Sequence, residues 1–86
     1  MIEEVSVGTE LDLHRCTVEE AIPKIDDFLH DMYRAGIIHA RIVHGKGSGV
    51  LRQEVGRYLA NHPLVKHYST SDYYHGGIGA TDVELK

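Results

Sequence analysis

Polar and apolar residues alternate through Glu10-Leu11-Asp12-Leu13-His14, the two-residue period of a strand with one buried face. Leu11 and Leu13 then point inward, and Asp12 and His14 share the other face. From Val18 the period lengthens. Apolar residues stand at Val18, Ala21, Ile22, Ile25, Phe28, Leu29 and Met32, a helical stripe. Thr17 with Glu20 three positions on reads as a capping box, and Gly36 as the stop. Pro23 sits badly in this helix, because it removes a backbone donor. Either the first turn is kinked or the regular helix starts nearer Glu20; both readings keep a helix over about residues 24–35.

Ile38, Ala40 and Ile42 alternate with His39, Arg41 and Val43, which predicts a second strand. It runs into His44-Gly45-Lys46-Gly47-Ser48-Gly49 and then a second helix over about 50–61, with Val50 at its start and Leu51, Val55, Tyr58 and Leu59 on its apolar face. Asn61-His62-Pro63 ends it. Leu64 to Tyr68 forms a weaker third strand, residues 69–79 a polar, Gly-rich loop, and Thr81, Val83 and Leu85 mark the last strand. Residues 1–9 are expected to be a flexible tail or linker, with one domain over 10–86.

The order is β-α-β-α-β-β. Crossovers between parallel strands are right-handed, and the alternation in the first two strands leaves one sheet face uncovered. The expected fold is therefore α/β: a two-layer sandwich of a four-stranded mixed sheet with two helices on one face. Its open face would carry Asp12, His14, His39, Arg41, Asp82 and Glu84.

With 86 residues the chain holds a single small core. Its single cysteine, Cys16, cannot make an internal disulfide, which points to a reducing, cytoplasmic setting. No apolar run approaches the ~20 residues of a membrane span. The net charge of −4 argues against a globally basic nucleic-acid binder. Seven histidines qualify that: fully protonated, they would move the balance to +3. Local charge matters more than the sum.

The glycine segment after the second strand is the strongest chemical signal. Closely spaced glycines let backbone amides approach an anion, the following helix start favours negative charge, and Lys46 adds a mobile cation. A phosphate is the natural ligand of Gly45, Lys46, Gly47, Ser48 and Gly49, although the spacing matches neither a nucleoside-triphosphate P-loop nor a dinucleotide fingerprint. The competing reading is a tight turn made of small residues. Asp12 and His14 share a strand face near its C-terminal end, so the carboxylate can orient the imidazole for acid or base work on a phosphodiester. An adjacent parallel second strand would deliver His44 to the same rim. Arg15, after the first strand, and Arg52, in the first turn of the second helix, would supply guanidinium forks for phosphate oxygens.

Asp12, His14 and His44 could also share a divalent metal, but no HExxH, cysteine cluster or dense carboxylate set supports one. The need for a cofactor stays open. Tyr73 and Tyr74 in the late loop could stack on bases or fold over the sheet. Cys16 is expected to pack near the helix start. His30, His39, His62, His67 and His75 belong to no motif.

Three ordered motifs, Leu11-Asp12-Leu13-His14, His44-Gly45-Lys46-Gly47-Ser48-Gly49 with Leu51-Arg52, and Gly76-Gly77-Ile78-Gly79-Ala80-Thr81 leading to Val83-Glu84-Leu85, resemble the Smr (small MutS-related) domain. The ending is most similar to the C-terminal domain of the second bacterial MutS paralogue. The resemblance covers about residues 10–86 and implies the same β-α-β-α-β-β fold and endonuclease activity. The MutS-paralogue type resembles nicking endonucleases with branched-DNA preference linked to suppression of recombination; other members cleave messenger RNA at collided ribosomes. Carried over by motif, Asp12 and His14 match the catalytic first motif, and His44, Gly45 and Gly47 the second. Arg15 departs from the glycine that commonly follows LDLH.

The resulting expectation is a monomeric endonuclease domain acting on branched or double-stranded DNA, targeted by attached MutS-like domains. The alternatives are an RNA endonuclease, a non-catalytic nucleic-acid or ribosome-binding module, and a protein-interaction module using the open sheet.

Overall fold

The computed structural model describes residues 9–47, 49–71 and 77–86. The elements are β1 (Glu10–Asp12), α1 (Val18–Ala35), β2 (His39–Val43), α2 (Val50–Ala60), β3 (Val65–Thr70), a 3-10 turn at Gly77–Gly79 and β4 (Ala80–Leu85). The sheet order is β1-β2-β4-β3. β1 and β2 run parallel, and β4 lies antiparallel between β2 and β3. This is the α/β two-layer arrangement that the sequence predicts.

Both helices contribute to one core. Ala21, Ile25, Leu29 and Met32 from α1 and Val55 and Leu59 from α2 meet Leu13, Ala40, Ile42, Val83 and Leu85 beneath them. The helix residues fall on one face each, and the strand residues alternate, so one sheet face is covered and the other is left polar. On the open face Arg41 stands opposite Asp82, and His39 opposite Glu84. Asp82 Oδ1 accepts from Arg41 Nε at 2.9 Å and from Ser71 Oγ at 2.7 Å. Among the described residues no helix is long and apolar enough to cross a membrane.

The ends of α1 follow the sequence closely. Glu20 N–H donates to Thr17 Oγ1 at 3.2 Å, and Thr17 N–H to Glu20 Oε1 at 2.9 Å, a reciprocal cap. With these donors satisfied the helix starts at Val18 and runs through Pro23, so the later start near Glu20 is not adopted. Gly36 adopts φ 76°, and the Gly36 and Ile37 N–H groups return to Tyr33 and Met32 carbonyls, a Schellman closure.

Three boundaries move. Thr9, expected in the tail, accepts Arg41 N–H at 2.8 Å and extends the β1–β2 pairing; the rest of the expected tail lies outside the described residues. β1 ends at Asp12, which puts His14 in a turn rather than on the strand. β3 continues past Tyr68 to Thr70, because Ser69 and Thr70 pair with Asp82 and Thr81. As an edge strand it is exposed almost throughout, so burial imposes no alternation on its sequence.

Candidate active site

The parallel β1–β2 pair brings the first two motifs together. Leu13 N–H donates to Val43 O at 2.6 Å, immediately before the chain turns. Cys16 N–H then returns to Leu13 O at 2.9 Å, and Arg15, the third residue of that turn, has φ 74°. Arg15 is the one non-glycine residue with positive φ among those described. A turn with a positive φ at this position is of type II, which favours glycine there. The position where Arg15 departs from the Smr pattern is thus one with a backbone reason for glycine.

The turn also builds a dyad. Asp12 Oδ1 accepts His14 Nδ1 at 2.6 Å and the His14 backbone N–H at 3.1 Å. These bonds, the ring contact foremost, hold the Asp12 carboxyl below its ordinary range. An ionised carboxylate only accepts, so His14 carries a proton on Nδ1 and turns Nε2 away from Asp12. The His14 side chain is about half exposed, at 52%. That leaves a correctly oriented imidazole open to a ligand.

His14 abuts the glycine loop: a Cβ built on Gly45 would lie 3.6 Å from His14 Cβ. The loop is braced from the third motif. Gly79 O accepts both His44 N–H and Gly45 N–H at 2.9 Å. A side chain on Gly79 would press to 3.3 Å from Lys46 Cγ, and one on Gly49 to 3.4 Å from Arg52 Nη2. The first loop amides are therefore engaged in holding the loop, with the Gly45 N–H directed to Gly79. Gly49, at φ 88°, gives α2 no side-chain cap. The positive end of α2 and the returning Arg52 face the same space.

His44 differs most from its expected role. It is 5% exposed, its Nδ1 lies 3.1 Å from Gly45 O, and its Nε2 lies 2.8 Å from Thr81 Oγ1. A carbonyl can only accept, so Nδ1 bears the proton and Nε2 accepts from the threonine hydroxyl. Burial, as the main cause, depresses its pKa. The ring is a neutral internal strut whose nitrogens are both engaged. Sequence reading assigned no role to Thr81 or Gly79, although the third motif contains both.

Arg15, Cys16, His44, Lys46, Gly47 and Arg52 line one cavity, together with Gly45, Gly49 and Leu51. The cationic residues expected to hold phosphate thus converge, and no carboxylate is among the described lining residues. Ser48, Tyr73 and Tyr74 lie outside the described residues. Cys16 belongs to the cavity wall, with Lys24 Nζ 3.7 Å from its sulfur.

Asp12, His14 and His44 do not form a shared ligand set, because His44 turns inward to Thr81. Among the described residues the group whose donor atoms cluster closely is Asp26, His30 and His62. Its bonding is that of a clamp. Leu64 N–H donates to His62 Nδ1 at 3.1 Å, which leaves the proton on Nε2 to reach Asp26 Oδ1 at 2.9 Å. A metal on Nε2 would have to displace this proton and set Nδ1–H against Leu64 N–H. Tyr58 O–H also donates to Asp26 at 3.0 Å; burial and the carboxylate push its pKa up to about 12. The Asp26 carboxyl is correspondingly lowered, first by His62. The three residues tie α1 to the end of α2.

Comparison with known proteins agrees with these motifs. The Smr domain profile matches residues 11–86. Endonuclease MutS2 of Caldicellulosiruptor bescii is 41% identical over 86 residues, covering 100% of this chain and 11% of that protein. The Clostridium beijerinckii protein of the same name is 46% identical over 81 residues, 94% of this chain and 10% of that one. This chain spans about a tenth of the length of these relatives. The crystal structure of the Smr domain of Thermus thermophilus MutS2 superposes with a TM-score of 0.89 at 35% identity, covering 91% of this chain and 98% of that one. YdaL, a stand-alone small MutS-related protein from Escherichia coli, gives 0.87 at 31% identity, over 93% and 66% of the two chains. With its fold, its three motifs and its profile in agreement over nearly the whole length, the chain belongs to the Smr domain family.

Proposed function

We propose that this domain is a nucleic-acid endonuclease that nicks branched or double-stranded DNA, with the Asp12–His14 pair moving the proton. The observation that carries this reading is the half-exposed His14 imidazole, oriented by Asp12 at 2.6 Å, beside a cavity ringed by Arg15, Lys46 and Arg52. The cations would hold the phosphodiester, and His14 Nε2 would take a proton from the attacking oxygen or give one to the departing oxygen. Developing charge would be stabilised by Lys46, the arginine forks and the start of α2.

His44 serves this reaction as a positioning residue. Its buried, doubly bonded ring fixes the loop and has no free nitrogen for a phosphate. The Asp12 carboxylate at this rim would offer an oxygen to a divalent ion, which would activate water for DNA hydrolysis. RNA is the second substrate to test, because one exposed imidazole suits attack by an RNA's own 2′-hydroxyl.

The names of the MutS2 relatives support the endonuclease reading. Attached MutS-like domains would supply targeting that a domain of net charge −4 lacks, and a cytoplasmic setting fits both substrate and Cys16. The test compares wild type with His14→Ala on branched DNA, linear duplex DNA and single-stranded RNA, with and without chelator. Cleavage should fall by at least about 100-fold in the variant without loss of fold. Equal turnover by the two proteins refutes the role of His14; binding without product by wild type favours a non-catalytic module.

A further inference from the structure

The open face of the sheet presents Arg41 already spent on Asp82, and the Asp26 cluster is closed by its own hydrogen bonds. A third feature is not consumed. Between α2 and the edge strand β3 runs a groove lined by Arg52, Gln53, Gly56, Arg57, Tyr68 and Thr70, with Ser69 beside them and Thr81 at its inner end. Two arginines and no carboxylate are among its described lining residues, on a chain with 13 acidic residues against 9 basic ones.

The groove and the glycine-loop cavity share a wall. Arg52 lines both, and Thr81 of the groove is hydrogen-bonded to His44 of the cavity at 2.8 Å. Taken together they form a track along which Arg15, Lys46, Arg52 and Arg57 are distributed. Cations shared between two adjoining hollows suit a chain of phosphates rather than one anion.

Tyr68 gives the track its second property. The residue, 37% exposed, stands on the helix side of an edge strand. Opposite it α2 carries Gly56, where a Cβ would be 3.8 Å from Tyr68 Cε2. The absence of a side chain there lets the edge of the ring approach the helix backbone, while the residue as a whole stays partly exposed. A paired base hides its faces in the stack, whereas an unpaired base can lie on an aromatic ring. The competing assignment makes Tyr68 an edge-strand packing residue and Arg57 a solvated partner of Glu54, 3.4 Å away. It does not account for the lack of carboxylates among the described lining residues or for continuity with the cavity.

We propose that the α2–β3 groove is a second nucleic-acid subsite, which holds the unpaired strand flanking the scissile phosphate, with Tyr68 stacking on a base and Arg57 contacting the backbone. This rests on the nucleic-acid reading above and assigns recognition of a single-stranded flank to Tyr68 and Arg57.

Fluorescence anisotropy with the purified domain at low salt tests it, using one duplex made blunt or with a single-stranded flank. Wild type should bind the flanked form more tightly. Tyr68→Ala should weaken that binding by about tenfold and leave blunt-duplex affinity unchanged, whereas Tyr68→Phe should behave as wild type. Arg57→Ala should lower the salt slope of flanked binding by about one. Thermal melting verifies that each variant is folded; should Tyr68→Ala be unfolded, Tyr68→Thr and Arg57→Ala carry the comparison. Wild type without flank preference, or folded variants that retain it, overturns the groove while leaving the nucleic-acid reading intact. Wild type that binds neither duplex overturns both.

Discussion

Thr81 Oγ1 lies 2.8 Å from His44 Nε2 in the interior, joining the third motif of the sequence to the second. The hydroxyl donates to the ring nitrogen left unprotonated by the His44–Gly45 contact, so it selects the tautomer as well as the position of the ring. Thr81→Val keeps the shape and removes the donor. It should cost about 1–3 kcal/mol, the penalty for a buried polar group without its partner, and Thr81→Ser should recover most of that loss. Chemical denaturation of the three proteins measures it; equal stability of the valine variant would show the bond to be dispensable.

The same burial gives stability a pH dependence with a definite sign. His44 in the folded chain titrates below its ordinary value of 6.5, so between those two points the unfolded chain binds the proton more readily. Its contribution is fully present above 6.5 and is lost as pH falls toward the folded value. His44→Gln should flatten the slope of melting temperature against pH in that interval. Identical slopes for the two proteins would remove His44 as the source.

Asp12 works in the opposite range. Its carboxyl is held below 3.8 by His14, so the support it gives the folded turn is present above 3.8 and disappears as pH falls through the lowered value. It therefore remains a carboxylate throughout the neutral range. Asp12→Asn keeps the size but removes the charge that orients His14. Cleavage should drop by about 100-fold or more, with only a small fall in the neutral-pH melting temperature because the pair is solvent-exposed. A variant with wild-type turnover would detach Asp12 from the chemistry.

Local signals were the most legible. The Thr17 cap, the Gly36 stop, the element order and the approach of His14 to the glycine loop all follow from short-range pattern plus one parallel pairing. What stayed hidden needed partners distant in sequence. Alternation gives Ala40, Ile42 and His44 a common parity, and the first two are core residues, so the inward turn of His44 was implicit in its strand. Its partner Thr81 is 37 residues away, and no spacing rule connects them. The role of Gly79 is equally non-local. Tyr68 escaped notice because an exposed edge strand leaves no burial pattern to read.

Arg15 exposes a conflict between folding and binding that one substitution can separate. Its φ of 74° is costly for a residue with a Cβ and free of that cost for glycine. Arg15→Gly should therefore relieve about 1 kcal/mol in the turn, offset in part by the greater entropy of glycine in the unfolded chain. The same change removes a guanidinium from the wall of the glycine-loop cavity. It should weaken nucleic-acid binding and reduce its salt slope by about one, without shifting the Asp12–His14 geometry. Melting curves and salt titrations of the two proteins decide the matter. A variant of equal or higher stability with unchanged binding would show that Arg15 carries the strain without serving the site.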